Sequence, residues 1–323
     1  VALAAASVIA LAGCATAAAE GSGDESDRIA VVASTNVYGQ IVEAIGGDLV
    51  DVTSIVSAAS QDPHSFEPSA RDQLAVSRAA LIVENGGGYD SFIDGLIESS
   101  GAEAHVITAA EFSHDWPENE GHDAEAEAEE DHDHAEGDDH DHAGHDHVEG
   151  FNEHVWYDPH TIVHVAEGIA AELSEIAPDD AATFEANLAE FASGIEDLEA
   201  ALATIDAESG GAEIFVTEPV PLYLTTAAGL VNVAPEAFTE AVEEGRDVPA
   251  STLLEATKLL QTGDVRAVIV NAQTGGAETT AVLDEAETLG LPVVEFTETL
   301  PEGQTYLSWM QSNIEALEAA LQA

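Results

Sequence analysis

From residue 29 onward the chain alternates short β-branched runs with helix-period stretches, and this rhythm confines it to an α/β architecture with mainly parallel sheets. Runs at 29–33, 49–56, 79–83 and 104–107 predict buried strands. Between them, 37–45, 69–78 and 90–98 predict helices, the first ended by Gly46-Gly47 and the second capped by Ser69. The theme returns nearer the C-terminus. Strands are expected at 213–217, 231–233, 266–270 and 292–296, and helices at 221–228, 251–261, 279–289 and 306–321. Two helices separate the sets. Asp158 and Pro159 suit the cap and first position of one that runs to about 176. Pro178-Asp179 then opens an unusually long one, with Phe184, Leu188, Phe191, Ile195, Leu198 and Leu202 spaced by three or four until it stops near Gly210-Gly211. The predicted fold is two α/β lobes with mainly parallel sheets, joined by one long spine helix and separated by a cleft. Ligands of such sheets bind beyond the carboxyl ends of the strands, which directs attention there.

Residues 113–153 break the rhythm. The stretch HDAEAEAEEDHDHAEGDDHDHAGHDH has no apolar periodicity and predicts a disordered loop. Seven of the 13 histidines fall in it: His122, His132, His134, His140, His142, His145 and His147. Acidity also spreads over the whole chain: 64 Asp and Glu against six Lys and Arg give a net charge of −58 over 323 residues. So few cations exclude a phosphate-binding surface, hence nucleic acid, and an anionic membrane surface would repel the chain. Metal ions and cationic partners are favoured, and high like charge favours a monomer. With 45% hydrophobic residues, a real core remains available.

Polar residues at predicted strand ends are suited to ligate a cation. His64 lies in Gln61-Asp62-Pro63-His64-Ser65-Phe66-Glu67-Pro68 beyond the second strand, and His154 opens His154-Val155-Trp156-Tyr157-Asp158-Pro159 before a helix. Glu218 and Glu298 follow the strands at 213–217 and 292–296. Two imidazoles and two carboxylates converging from both lobes would form an N₂O₂ set for a first-row divalent metal. Each has a plainer reading. A loop histidine is usually solvated, Glu218 and Glu298 are two acids among 64, and Trp156 and Tyr306 suit a core better than a ligand contact. Asp62 and Glu67 are candidates to orient His64.

The segments Asp62-Pro63-His64 with Glu67-Pro68, and His154-Val155-Trp156 with Asp158-Pro159, resemble the signatures of zinc and manganese solute-binding proteins, the ZnuA/TroA-like receptors of ABC importers. The resemblance runs from about 29 to 323. It implies two α/β lobes on one spine helix and a metal in the cleft, with His64 and His154 as the first two ligands. Glu218 stands where the family has His or Glu, and Glu298 where it usually has Asp. Glutamate in place of a third histidine resembles the manganese or iron branch. The histidine-rich segment resembles that of zinc receptors, and imidazole suits zinc better than manganese; Zn2+ is favoured, with Mn2+ the alternative.

Leu11-Ala12-Gly13-Cys14 resembles the lipobox of bacterial lipoproteins, making Cys14 the expected lipidation site and 15–28 a flexible tether. Thirteen apolar residues are too few to span a bilayer, and a single cysteine excludes a disulfide framework. The expected organisation is a signal segment at 1–14, the tether, an N-terminal lobe at 29–178, the spine at 179–210 and a C-terminal lobe at 211–323. The expected function is extracytoplasmic capture of a divalent metal for a membrane permease, attached to the membrane only through lipid. Two alternatives stand: a surface metal buffer or adhesin built on the histidine segment, and a metallohydrolase. For the latter the chain has no HExxH, GxSxG or Walker A segment, and Glu153, which adjoins His154, is the one base to be imagined.

Overall fold

A computed structural model describes residues 28–119, 148 and 150–323. In the N-terminal lobe, β1 (Ile29–Thr35), α1 (Asn36–Gly46), β2 (Val50–Val56), α2 (Ala70–Val76), β3 (Leu81–Glu84), α3 (Phe92–Ser100) and β4 (His105–Thr108) follow in order. The strands form a parallel sheet of order β2-β1-β3-β4. Then come α4 (Pro159–Ile176) and the 29-residue α5 (Ala181–Ser209), which at about 1.5 Å per residue is roughly 43 Å long. The C-terminal lobe contains β5 (Glu213–Val216), α6 (Leu222–Ala227), β6 (Val231–Asn232), α7 (Glu236–Glu243), α8 (Ala250–Leu260), β7 (Val265–Asn271), α9 (Ala277–Leu289), β8 (Val293–Phe296) and α10 (Tyr306–Leu321). Its parallel sheet has the order β6-β5-β7-β8, the same topology as the first.

Both sheets are covered on both faces, and the strands alternate accordingly. Val31, Ala33, Leu81 and Val83 enter one large core while Val32 and Ile82 enter a smaller one on the opposite face. In the other lobe Ile214, Val216, Ala267 and Ile269 join that same large core, and Phe215, Val268 and Val270 face away from it. Burial on both sides explains the near-continuous apolar runs of the sequence. One core is therefore common to the two lobes. It is threaded by α5, whose buried Phe184, Phe191, Ile195, Leu198, Leu202 and Ile205 form a single stripe. Tyr306 and Trp156 are buried, as expected of core residues.

Two departures from the sequence reading are local. No element was expected at α7, an acidic stretch in which only Phe238, Thr239 and Ala241 are buried; a short, narrow apolar face gives little periodic signal. The expected loop is also too wide at its margins. Ser113 is fully buried, and Trp116 packs edge-on against Phe151 with ring centroids 5.2 Å apart. Asn119 donates to the carbonyls of Glu111 and Ser113 at 2.8 and 2.9 Å. The polar composition of the segment obscured the two aromatic residues that pair its ends. The seven histidines of the segment, and Cys14, lie outside the described residues.

Candidate metal centre

In each sheet the chain turns from one side to the other between two central strands, β1/β3 and β5/β7, and the site collects at the carboxyl ends of strands around these points. His64 follows β2 on a single 3-10 turn, Pro63–Ser65. Asp62 caps that turn, its carboxylate accepting the His64 backbone N–H at 2.9 Å and the Ser65 hydroxyl at 2.7 Å. Asp62 thus holds the backbone of His64, and Glu67 is exposed.

His154 is 1% exposed and sits at the centre of a tight three-residue turn, φ −78° and ψ 47°, in which the Val155 N–H donates to the Glu153 carbonyl at 2.8 Å. The Asn152 side-chain oxygen accepts the His154 backbone N–H at 3.2 Å and lies 2.7 Å from ring Nδ1. An amide oxygen only accepts, so Nδ1 is the ring donor and Nε2 is the ring atom suited to ligate a cation.

Tyr89 lies between the two histidines. It follows Asn85-Gly86-Gly87-Gly88, whose three glycines have φ of 74°, 66° and 94°. A Cβ on Gly86 would lie 2.3 Å from the Thr108 methyl, and one on Gly87 would lie 3.0 Å from the Phe151 ring. Asp90 fixes the loop by accepting the Asn85 and Gly86 N–H groups at 2.7 and 2.8 Å. The Tyr89 ring meets His64 edge-on at 4.8 Å between centroids and His154 at 5.9 Å, while the two imidazoles are 6.2 Å apart.

The other half of the site is carboxylate. Glu218 follows β5 and Glu298 follows β8, each 3% exposed. Asn271, the last residue of β7, donates its side-chain amide to Glu298 at 2.6 Å and to Glu218 at 3.2 Å. Thr274 donates to the second Glu218 oxygen, and the Tyr89 hydroxyl crosses the cleft to Glu298 at 3.2 Å. Gln273 accepts the Glu298 and Thr299 backbone N–H groups at 2.6 and 3.0 Å, fixing that loop. Burial pushes the Glu298 carboxyl up to about 7, with the neighbouring Glu218 and Asp62 charges adding to it against the Asn271 and Tyr89 hydrogen bonds. Glu218 is also raised, by burial first and by Asp62, against its bonds to Thr274 and Asn271.

His64, His154, Glu218 and Glu298 are thus brought to one cleft from four separate chain segments. They do not all lie within one ligand radius. Among the described residues, His64, His154 and Glu153 have ligand atoms within 4.8 Å of one another, and Glu218 and Glu298 do not join that group. A second such group, His105, Glu172 and Glu175, lies at an outer edge with two of its three members exposed. Sequence reasoning missed Tyr89 and Asn271 as site residues and left Glu153 as a mere neighbour of His154. The signals were present but faint: an aromatic after three glycines, and a polar residue closing a buried strand. Beside the ligand groups opens a cavity of about 670 Å³, lined by Asp62, His64 and Ser65 on one side and by Glu243, Glu244, Asp247, Thr274 and Glu278 on the other. Five carboxylates line it against one cation, Arg246, which pairs with Glu244, and this balance favours entry of cations.

A family model described as the periplasmic zinc-uptake complex component A matches residues 31–320. The manganese-binding lipoprotein MntA of Halalkalibacterium halodurans is 24% identical over 311 residues, covering 93% of this chain and 91% of the relative. The iron ABC transporter substrate-binding lipoprotein MtsA of Streptococcus pyogenes serotype M1 is 25% identical over 314 residues, covering 92% and 90%. A crystal structure of ZnuA superposes with a TM-score of 0.65 at 21% identity, covering 92% of this chain and 98% of that one. The likeness to that structure is one of fold.

Proposed function

The chain belongs to the zinc-uptake component A family of ABC-importer metal-binding proteins, and from that premise we propose that it captures Zn2+ outside the cytoplasmic membrane and delivers it to a membrane permease. One observation carries the reading: two imidazoles at one point face two buried carboxylates that share a single amide donor, Asn271. His64, His154, Glu218 and Glu298 are the proposed ligands, an N₂O₂ set suited to a borderline dication. The role is capture rather than catalysis. Asn271, Thr274 and Tyr89 hold the carboxylates in place. An ion drawing in Glu298 competes with the Tyr89 bond across the cleft, so occupancy is reported as a change in an interlobe contact. The histidine-rich segment gathers metal for the receptor, and Cys14 carries the lipid that keeps a monomeric receptor at the outer face of the membrane.

A second reading has its own support. Glu218 and Glu298 are hard oxygen donors, and the two relatives described above are named for manganese and iron. Competition calorimetry with Zn2+, Mn2+ and Fe2+, joined to mass spectrometry of protein from its native envelope, decides between them: zinc retained after purification and displacing manganese is the expected result. A His64→Ala/His154→Ala variant that keeps the tight site undiminished overturns the site itself.

A further inference from the structure

We propose that Glu153 is a metal ligand, completing with His64 and His154 a three-ligand half-site on the N-terminal lobe that takes the ion before Glu218 and Glu298 engage it. The proposal rests on the capture function above and adds a residue and an order of events to it.

Consecutive side chains on extended backbone point to opposite faces. The tight turn at His154 removes that alternation, with the Val155 N–H bound to the Glu153 carbonyl at 2.8 Å. Residues 153 and 154 can therefore present ligand atoms to one point. His64 reaches the same point from its own turn, and the ligand atoms of all three lie within 4.8 Å of one another. Two ligands at about 2.0–2.2 Å from a tetrahedral zinc are separated by roughly 3.4 Å, so a modest contraction closes the set. Glu153 is held for this use. Its carbonyl also accepts the Asn85 side-chain amide at 2.9 Å, and its Cβ lies 3.4 Å from where a Cβ on Gly87 would fall, so the glycine there leaves it room. The residue is 3% exposed.

The order follows from what holds each half. His64, Glu153 and His154 belong to one lobe and are already gathered. Glu218 and Glu298 are held apart from that group by Asn271, Thr274 and Tyr89 and have to be drawn to the ion afterwards. Two imidazoles and one carboxylate leave a fourth position on zinc for water first; Glu218 and Glu298 then replace the water, and the ion with Glu153 retained becomes five-coordinate.

The test uses the full chain with Zn2+ by calorimetry and Co2+ as a spectroscopic probe. A Glu218→Gln/Glu298→Gln variant is expected to keep one site that depends on His64, His154 and Glu153. Adding Glu153→Gln to it is expected to weaken that site at least tenfold and change the Co2+ absorption, while the unfolding temperature without metal stays within a few degrees. Equal affinity and spectrum with and without Glu153→Gln overturn the proposal and leave the capture function standing; insensitivity to His64→Ala/His154→Ala overturns both. Should Glu153→Gln prevent folding, an anomalous map of the unaltered chain with one equivalent of Zn2+ decides. A Glu153 oxygen at about 2.0–2.2 Å from the ion supports the ligand, and one beyond contact with it sinks the idea.

Discussion

Asn271 is neutral and cannot ligate through charge, yet among the described residues its amide is the one group that donates to both Glu218 and Glu298. Removing it leaves two buried acids without their common donor. Asn271→Ala is expected to cost about 10–100-fold in zinc affinity, the usual effect of losing a group that orients ligands, measured by competition with a chelator of known strength. The pH dependence has a definite sign. With Glu298 as a proposed ligand, the metal takes its ionised form, and its carboxyl is pushed up to about 7, so affinity is expected to fall as pH drops through 7, by up to about tenfold per unit from this group alone. Loss of the Asn271 hydrogen bond, which favours the ionised form, moves that inflection upward. Titrations between about pH 8 and pH 6 on the unaltered chain and on Glu298→Gln check both points, since imidazoles also change charge in this range and the difference isolates the carboxyl. His64 and His154 were legible from their motifs because histidine is scarce outside the low-complexity segment. Glu153 was not, because one acid among 64 carries no signal until a turn aims it.

The elements that build the site are mostly short, and their ends matter more than their interiors. The loop after β3 is the clearest case. Its glycines adopt backbone that other residues reach at a cost of about 1–2 kcal/mol, and Gly87 faces Phe151 and Glu153. Gly87→Ala is expected to lower stability by that amount and to weaken zinc binding by more than its effect on unfolding explains, because it displaces Tyr89 and Glu153 together. Parallel denaturation and calorimetry separate the two effects. Most strands and helices were predictable to within a few residues, including α4 from its Asp158 cap and α10. The exception, α7, shows why a short acidic helix escapes: it buries three residues, and the walls of the metal cavity take in its end.

At the scale of the whole molecule, the two lobes share one core and are tied by polar bonds across the cleft. Asn36 exchanges hydrogen bonds with Leu300, Tyr157 donates to the Thr297 carbonyl, Tyr306 to that of Trp156 and Tyr223 to that of Asn152. Wide hinge motion would expose part of that core to water, at about 25 cal/mol per Å². Zinc is therefore expected to change the radius of gyration by less than about 1 Å in small-angle scattering while raising the unfolding temperature, as any ligand of the folded state does. Compaction by several ångströms would show that the lobes separate freely. With the small change expected, a permease would read loop positions at the cleft mouth rather than a large rotation.

Strand–helix alternation and the stripe on α5 determined two parallel-sheet lobes on a spine, because period and burial are written locally in the order of side chains. The two histidine motifs likewise named the region of the site. Glu218 and Glu298 were named with those histidines, but the nearness of Glu153 to them was decided only by tertiary structure. It depends on turns packed from distant segments, as the pairing of Glu218 and Glu298 depends on Asn271 and Tyr89, whose importance is their position and not their chemistry alone.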